Sequence, residues 1–233
     1  MIAIICAMAE ERDALLKMMK DARVIKGKKL LYHGSFLDNE YYKGNIEGKE
    51  VVLSRCGVGQ VYASLCTSLL IEKFKPELVI NLGCAGSLNE NVHVGSIVVA
   101  DKAAAWRLDV PGWKRNFDSQ YSVVGCDEKA AAIASKIKGL GHVSVGGIVS
   151  ADEFVYKKGQ IKEIRRFYPE ALCAEMEGFA IAAVCYAYQV PSSIIRSISD
   201  ETLVSGNYKQ FEFNLNAVCD AAAKLCSEII KRY

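Results

Sequence analysis

The sequence predicts an α/β fold in which a mixed, mostly parallel sheet is covered by helices on both faces. Short apolar runs of strand type alternate with longer segments of helical periodicity along the 233 residues, which is the pattern of parallel strands joined by helices. Hydrophobic residues make up 51% of the chain, a fraction that is sufficient for a continuous core. No flexible linker interrupts the alternation, so we expect one domain over residues 1–233.

The N-terminal half contains signals for strands, helices, a hairpin and a turn. An apolar run opens the chain, and acids suited to the first turn of a helix follow it. Two later runs flank Glu47-Gly48 and predict a hairpin, so part of the sheet should be antiparallel. The Gly-Cys-Ala-Gly sequence at 83–86 should form a turn. The predicted elements are a strand at 2–7, a helix from 10, strands at 40–46 and 49–54, a helix to about 74 and a strand at 78–82.

The C-terminal half continues the alternation of strands and helices. Residues 102–121 carry no clear periodicity, and we expect them to form a loop. The predicted elements are a strand at 96–100, a helix near 127–137, a strand at 142–150, helices at about 158–167 and 177–188, a strand at 192–199 and a closing helix at 208–233.

Composition and charge argue against several classes of protein. Lys and Arg number 29 against 27 Asp and Glu, without a basic run, so nucleic acid is a poor partner. No apolar run has the length of a membrane span, and the N-terminus lacks the pattern of a targeting segment. Nine scattered cysteines without a C-x-x-C pair predict reduced thiols and a cytoplasmic protein. His33, His93 and His142 lack ligand spacing, so we expect no metal site.

Common nucleotide-binding and hydrolase motifs are absent. Gly57 and Gly59 precede a predicted helix, but a dinucleotide fingerprint needs a third glycine where this chain has Tyr62. Neither a phosphate-binding G-x-x-x-x-G-K-[ST] loop nor a G-x-S-x-G nucleophile elbow occurs. Any catalysis must therefore depend on other residue types.

Two carboxylates, Glu175 and Glu177, stand in the apolar segment 174–184. Burying a charge is costly unless the charge is paired or hydrogen-bonded, so such residues have either a structural partner or a chemical role. One alternative is a structural carboxylate together with an acid that caps the following helix. The segment alone leaves both interpretations open.

The segment 192–200 places Arg196 inside an apolar strand and Asp200 at its end. Alternation along a strand would direct Arg196, Ile198 and Asp200 to one face, and the carboxyl end of the strand would face the crevice where open α/β sheets bind ligands. The alternative is structural: Asp200 caps a turn, and Arg196 pairs with Glu175 or Glu177.

A third acidic segment follows the first strand, where Glu10 or Glu11 can reach the same crevice. Each acid alone is explained by the first turn of a helix. Three segments that each bring a carboxylate, with one arginine to neutralise them, indicate acid–base chemistry.

Seven blocks together resemble the signatures of the methylthioadenosine/S-adenosylhomocysteine nucleosidase family. Their order and spacing over about residues 1–200 make the joint match specific. The blocks are AMAEE at 7–11, GVG at 57–59, NLGCAG at 81–86, VHVGSIVVAD at 92–101, VSADEFV at 149–155, AEME at 174–177 and RSISD at 196–200.

The resemblance implies a purine nucleoside phosphorylase-like fold, a three-layer αβα sandwich, in a homodimer that needs no cofactor. It also implies two catalytic residues. Asp200 is similar to the acid that protonates adenine at N7, and Glu11 resembles the base that activates the attacking water. The expected reaction releases adenine from methylthioadenosine or S-adenosylhomocysteine.

The same resemblance implies the substrate-binding residues. Glu177 with Met176 would bind the ribose hydroxyls, Arg196 would orient the water and the acids, and Phe154 would stack on adenine. The remaining expected binding residues are Val155, whose backbone would bond the edge of the base, Cys84 and Gly86 along the sugar and base, and Glu175 and Ser199.

Three parts of the sequence depart from the family pattern. The family usually has Ser at the position of Cys84, and a thiol is the weaker donor toward Asp200. Residues 102–121 match poorly, and in the family such a segment helps a neighbouring subunit to close the pocket. After Asp200 the match needs a gap, so the aromatic residue that closes the site can be Tyr208, Phe211 or Phe213.

Three other functions remain open from the sequence. A purine nucleoside phosphorylase would use phosphate in place of water, but it needs several arginines around the anion, and the N-terminal block here carries acids. A non-catalytic nucleoside-binding protein of the same fold and an aminofutalosine-type nucleosidase are the other two alternatives.

Overall fold

The computed structural model describes residues 1–27, 30–32, 35–37, 40–204 and 206–233, so His33 lies outside the described residues. The helices are α1 (Ala9–Leu16), α2 (Gln60–Phe74), α3 (Glu128–Ala134), α4 (Lys158–Phe167), α5 (Gly178–Ala187) and α6 (Asn207–Arg232). The strands are β1 (Ile2–Cys6), β2 (Lys20–Lys26), β3 (Leu30–Tyr32), β4 (Ser35–Leu37), β5 (Glu40–Ile46), β6 (Lys49–Arg55), β7 (Leu78–Ser87), β8 (Ile97–Ala105), β9 (Val123–Gly125), β10 (Val143–Ser150), β11 (Cys173–Glu175) and β12 (Ser192–Glu201).

A ten-stranded mixed sheet organises the molecule. Nine strands follow the order β11-β10-β8-β12-β7-β1-β6-β5-β2, and β9 pairs with β8. The centre is parallel, because β1 pairs with β6 and β7 and β12 pairs with β7 in the same direction. One face packs on α1, α3 and α6, and the other on α2 and α5. The mixed α/β architecture with helices on both faces is the predicted one.

The hairpin of β5 and β6 confirms the prediction made from Glu47-Gly48. The two strands pair antiparallel up to Ile46 and Lys49. Glu47 and Gly48 have φ angles of 50° and 78°, so both turn residues occupy the left-handed region that a two-residue hairpin with the correct twist requires.

The turn predicted at 83–86 is wrong, since β7 continues through this segment to Ser87. The glycines there serve close packing instead of chain reversal. A Cβ atom on Gly83 would lie 2.8 Å from Glu11 Oε1, and one on Gly86 would lie 2.9 Å from Asp200 Oδ2. Both glycines therefore leave room for carboxylates beside the strand.

Strand β12 contains a bulge that the expected alternation did not include. Ile198 pairs with Ala85, but Asp200 pairs with Gly86, so one extra residue, Ser199, lies on β12. Because Ala85 and Gly86 point to opposite faces, Ile198 and Asp200 do so too. The prediction that Arg196, Ile198 and Asp200 share a face is wrong for Asp200.

The sequence patterns also missed several strands. The edge strand β2 reads KDARVIK and is largely exposed, so it lacks the apolar alternation on which strand prediction depends. Strand β8 extends to Ala105 and thus enters the predicted loop at 102–121. Among the described residues, none of the helices combines the length and the hydrophobicity that a membrane span needs.

Candidate active site

A cavity of about 330 Å³ opens at the carboxyl ends of β1, β7 and β12, which is where open α/β sheets bind ligands. Its wall is mostly apolar and carries acids from four segments of the chain. The lining residues are Ala7, Met8, Glu11, Val58, Cys84, Ala85, Gly86, Glu153, Phe154, Val155, Ala174, Glu175, Met176, Glu177, Ser199, Asp200, Thr202 and Phe211. The cavity therefore collects all of the predicted site residues except Arg196.

Glu11 is buried at the third position of α1, and three backbone N–H groups hold its carboxylate. Oε2 accepts from Ala7 and Met8 at 2.9 Å each, and Oε1 accepts from Cys84 at 3.1 Å. Burial raises the pKa of Glu11, and the N–H donors limit the rise by stabilising the anion. The side chain therefore caps its own helix and also presents a fixed carboxylate to the cavity.

Glu175 and Arg196 form a fully buried ion pair behind the cavity. The Nη2 atom of Arg196 lies 2.5 Å from Glu175 Oε2, and both side chains are 1% exposed. Burial alone would lower the pKa of Arg196, but the carboxylates of Glu175, Glu177 and Glu11 raise it above its ordinary value. The guanidinium is thus the positive centre of the acidic site.

Every N–H of Arg196 has a protein acceptor. Nε donates to Glu175 at 3.1 Å, Nη1 donates to the carbonyls of Ile195 and Asn81, and Nη2 donates to Glu175 and to Asn81 Oδ1. The side chain does not line the cavity. This placement corresponds to the structural alternative, in which Arg196 pairs with Glu175, and it lets the guanidinium orient the acids of the site.

Glu175 receives a further set of donors that fix its position. The N–H groups of Glu177 and Gly178 donate to Oε2 at 3.0 and 2.7 Å, and Ser150 Oγ donates to Oε1. With the guanidinium of Arg196, these contacts satisfy the buried charge of Glu175. Its two neighbours in the AEME block, Met176 and Glu177, are thereby held at the cavity wall.

Glu177, on the cavity wall, has a strongly raised pKa. Burial and the negative charge of Glu175 raise the pKa of Glu177 to about 8, although Arg196 and the Gly59 N–H oppose the rise. The Gly59 N–H donates to Oε1 at 2.8 Å. At neutral pH this carboxyl can therefore hold a proton and donate a hydrogen bond.

Asp200 lies across the cavity, 1% exposed. Ser199 Oγ donates to Oδ1 at 2.8 Å, and Asn207 Nδ2 donates to Oδ2 at 2.6 Å. Burial raises the pKa of Asp200, while these two donors act in the opposite direction. The bulge at Ser199 is what directs this carboxyl to the cavity.

Cys84 lines the cavity but makes no hydrogen bond to Asp200 in the described part of the chain. Its Sγ lies 3.6 Å from Cys219 Sγ on α6. The contact with the Cys219 thiol and burial raise the pKa of Cys84, so the group stays a neutral thiol. The side-chain donors to Asp200 in the described residues are instead Ser199 and Asn207.

Aromatic side chains close the apolar end of the cavity. Phe154 packs edge-on against Phe211, with ring centroids 5.7 Å apart, and against Tyr208 at 5.8 Å. Phe211 lines the cavity, whereas Phe213 is 89% exposed. Of the three aromatic residues left open by the sequence, Phe211 is thus the one on the wall.

Sequence reasoning assigned no role to several residues that hold the site by hydrogen bonds from the backbone or from distant parts of the chain. Ala7 and Met8 supply N–H groups, and Asn81, Ser150 and Asn207 supply polar side chains from three different elements. Ala7, Met8, Asn81 and Ser150 lay in recognised blocks without an assigned role, but no pattern in the sequence marks Asn207. In the described residues no cluster of side chains is arranged to hold a metal ion, and no Lys, Arg or His lines the cavity.

Comparison with known proteins gives consistent results over the whole chain. Residues 1–231 match the model of the phosphorylase superfamily. Similar proteins include the 5'-methylthioadenosine/S-adenosylhomocysteine nucleosidases of Aeromonas salmonicida, 39% identical over 69% of this chain and 73% of that protein, and of Lysinibacillus sphaericus, 31% identical over 98% and 96%. The Neisseria meningitidis nucleosidase, crystallised with methylthio-immucillin-A, superposes with a TM-score of 0.87 at 31% identity over 100% of this chain and 99% of that one.

Proposed function

The chain belongs to the phosphorylase superfamily and, within it, to the 5'-methylthioadenosine/S-adenosylhomocysteine nucleosidases, and from this premise we propose that it hydrolyses the N-glycosidic bond of these nucleosides. The products are adenine and the corresponding thio-ribose. One observation carries the proposal: Glu11, Glu177 and Asp200, far apart in the chain, line one largely apolar cavity. Its volume of about 330 Å³ is in the range of small-molecule sites.

Asp200 is proposed as the acid that protonates the leaving base. The same cavity is lined by Phe154, whose ring can stack on a purine, and by Val155, whose backbone can bond the edge of the base. A general acid must carry its proton near neutral pH, and the raised pKa of Asp200 favours that state. Protonation at N7 makes adenine a better leaving group.

Glu11 is proposed as the base that accepts a proton from the attacking water. Its three backbone donors stabilise the ionised form that a base needs. Glycosidic cleavage passes through a cationic sugar, so the ionised carboxylate of Glu11 also stabilises the charge that develops on the ribose.

Glu177 and Met176 are proposed to bind the ribose between these two groups. Glu177 has one oxygen committed to the Gly59 N–H, and the rest of its carboxyl is available to a sugar hydroxyl. The Glu175–Arg196 pair positions this segment from behind, and we assign Arg196 this supporting role. Ser199, Gly86 and Cys84 complete the proposed wall around the sugar and base.

The cavity favours water over phosphate as the attacking group. A phosphate dianion would meet the ionised carboxylate of Glu11, and no cation lines the cavity within the described ranges. The guanidinium of Arg196 has no N–H left for an anion. These contacts disfavour the phosphorylase alternative.

We further propose that the protein works as a homodimer. Val61 on α2 and Tyr186 on α5 are 77% and 76% exposed, and the two helices together present an apolar surface beside the cavity. No residue of 102–121 from the same copy lines the cavity, so that segment is available to close the pocket of a second copy around the 5′ substituent. Light scattering of the wild type and of Val61→Lys tests this, since the substitution should shift the mass toward the monomer.

A cytoplasmic location is also proposed. All nine cysteines are free, and most are buried, which suits a compartment that keeps thiols reduced. A fluorescent fusion observed in intact cells checks the location directly.

The reaction is tested with purified protein and five nucleosides: methylthioadenosine, S-adenosylhomocysteine, adenosine, inosine and aminofutalosine. Free base is followed by chromatography with and without phosphate. We expect adenine from the two thio-nucleosides without phosphate and little base from inosine. A strict requirement for phosphate would establish the phosphorylase alternative, and binding without release would establish a nucleoside-binding protein. Hydrolysis of aminofutalosine in preference to both thio-nucleosides would change the substrate assignment.

A further inference from the structure

The amide of Asn207, the first residue of α6, bridges two acceptors at the cavity. Nδ2 donates to Asp200 Oδ2 at 2.6 Å and to the Val155 carbonyl at 3.1 Å. Asn207 is 2% exposed, and both acceptors belong to residues that line the cavity. A single planar NH₂ group thus satisfies two buried oxygens that come from different elements.

The two oxygens define what can replace this amide. The Val155 carbonyl and Asp200 Oδ2 each accept one hydrogen bond from the same planar NH₂ group. The 6-amino group of adenine is also a planar NH₂ with two N–H donors. A base with an oxygen at that position would place a third acceptor against the pair and leave both buried oxygens unpaired, which is unfavourable. An aminopurine could therefore satisfy this pair as the amide does, in keeping with the proposed placement of the base against Val155 and Asp200.

We propose that these two acceptors form an amino-group subsite and that Asn207 is the protein's own occupant of it, held there when no nucleoside is bound and displaced by the amino group of the base. The inference rests on the proposed function, because it takes adenine as the base. The Asn207 side chain turns away on binding, and the two acceptors exchange one NH₂ donor for another.

This arrangement links stability and affinity in a specific way. A contact made only in the empty protein stabilises that state and competes with the ligand. Removing the contact should destabilise the empty protein and tighten adenine binding by equal amounts. If Asn207 instead positioned Asp200 in the bound state, its removal would weaken adenine binding.

The test compares Asn207→Ala with Gln210→Ala. Gln210 Oε1 accepts from the Glu201 N–H, so it holds the same segment without touching either acceptor. Adenine binding is measured by calorimetry, and Tm is measured without and with saturating adenine. We expect Asn207→Ala to bind adenine about threefold to tenfold more tightly, with a lower Tm when empty and an unchanged Tm when saturated. Gln210→Ala should keep its Kd within about twofold of wild type.

An unchanged or weaker Kd in Asn207→Ala would overturn the inference, as would equal tightening in Gln210→Ala. If Asn207→Ala does not fold, Asn207→Ser serves in its place, because its short hydroxyl cannot span both acceptors. Wild-type adenine release, measured separately, distinguishes the two proposals. Release without tighter binding by the variants contradicts only the role of Asn207, whereas no release contradicts the hydrolase proposal.

Discussion

The backbone N–H of Cys84 donates to Glu11 Oε1 at 3.1 Å, although 73 residues separate the two in the chain. This contact joins the end of β7 to the first turn of α1, where Ala7 and Met8 hold the other oxygen of Glu11. Glu11 is therefore a cap, a connection between two elements and the proposed base at once. Its substitution should affect both stability and turnover.

Glu11→Gln should lower turnover by about 10²- to 10⁴-fold, because an amide cannot accept the proton of the water. It should also lower the free energy of unfolding by about 1–3 kcal/mol, since the amide NH₂ must face a backbone N–H donor. Rate measurements and urea unfolding check the two effects. Glu10→Gln, its exposed neighbour, is the matched control and should change neither. Full turnover in Glu11→Gln would remove Glu11 from its role.

Asp200→Asn should reduce turnover by about 10²- to 10⁴-fold while the protein stays folded. The substitution removes the transferable proton but keeps the size of the side chain between Ser199 and Asn207. Steady-state kinetics with methylthioadenosine measure the loss, and circular dichroism checks the fold. Asp220→Asn on the outer part of α6, where the carboxylate meets Lys17 at the surface, provides the control. Comparable rates for the two variants would contradict the assignment of Asp200.

Arg196→Met should lower the free energy of unfolding by about 3–5 kcal/mol, because it leaves Glu175 as an unpaired buried charge. The double variant with Glu175→Gln should recover part of this loss, since it removes the stranded charge. Chemical denaturation of the two single variants and the double variant measures the coupling. Additive losses would show that the two side chains do not act as a pair.

Glu177 should make stability depend on pH. The folded pKa of about 8 exceeds the ordinary 4.5, so between these values the folded protein holds this proton more readily than the unfolded chain. The stabilisation is complete below the lower value and is lost as pH rises toward the upper one. Glu177→Gln should match wild type within ~1 kcal/mol at about pH 5 and exceed its stability by roughly 4–5 kcal/mol at about pH 9. An equal difference at both pH values would contradict the raised pKa.

Gly86→Ala should reduce turnover at least about tenfold, because displacement of a catalytic group by a fraction of an ångström impairs alignment. The new Cβ would lie 2.9 Å from Asp200 Oδ2 and 2.7 Å from Thr202 Cγ2, so the carboxyl has to move. Gly159→Ala on α4, where a Cβ meets no atom within 4 Å, is the control and should retain full activity. Equal activity in both variants would show that the strand tolerates a side chain there.

The sequence was sufficient for the features that depend on local pattern. Glu11, Glu177 and Asp200 stood out because charged residues adjoin or interrupt apolar strands, and the Glu47-Gly48 hairpin followed from its turn. The bulge at Ser199 had no such signal, because it depends on how β12 pairs with β7. For that reason the face of Asp200 was predicted wrongly.

Long-range partners were the other part that local patterns could not provide. Asn207 reaches Val155 and Asp200 only after α6 packs on the sheet, and nothing in its neighbourhood distinguishes it from other asparagines. Gly83 and Gly86 were read as turn residues because glycine is common in turns. Their function, to leave space for carboxylates, is visible only when the opposing side chains are known.

The central claim is that water attacks the ribose in the cavity formed around Glu11, Glu177 and Asp200. The most direct test is reaction of the wild-type protein with methylthioadenosine in phosphate-free, ¹⁸O-enriched water, followed by mass spectrometry of both products. We predict that the released thio-ribose carries one ¹⁸O atom at its anomeric carbon and that adenine carries none. Absence of the label from the sugar, or no cleavage until phosphate is added, would contradict the account.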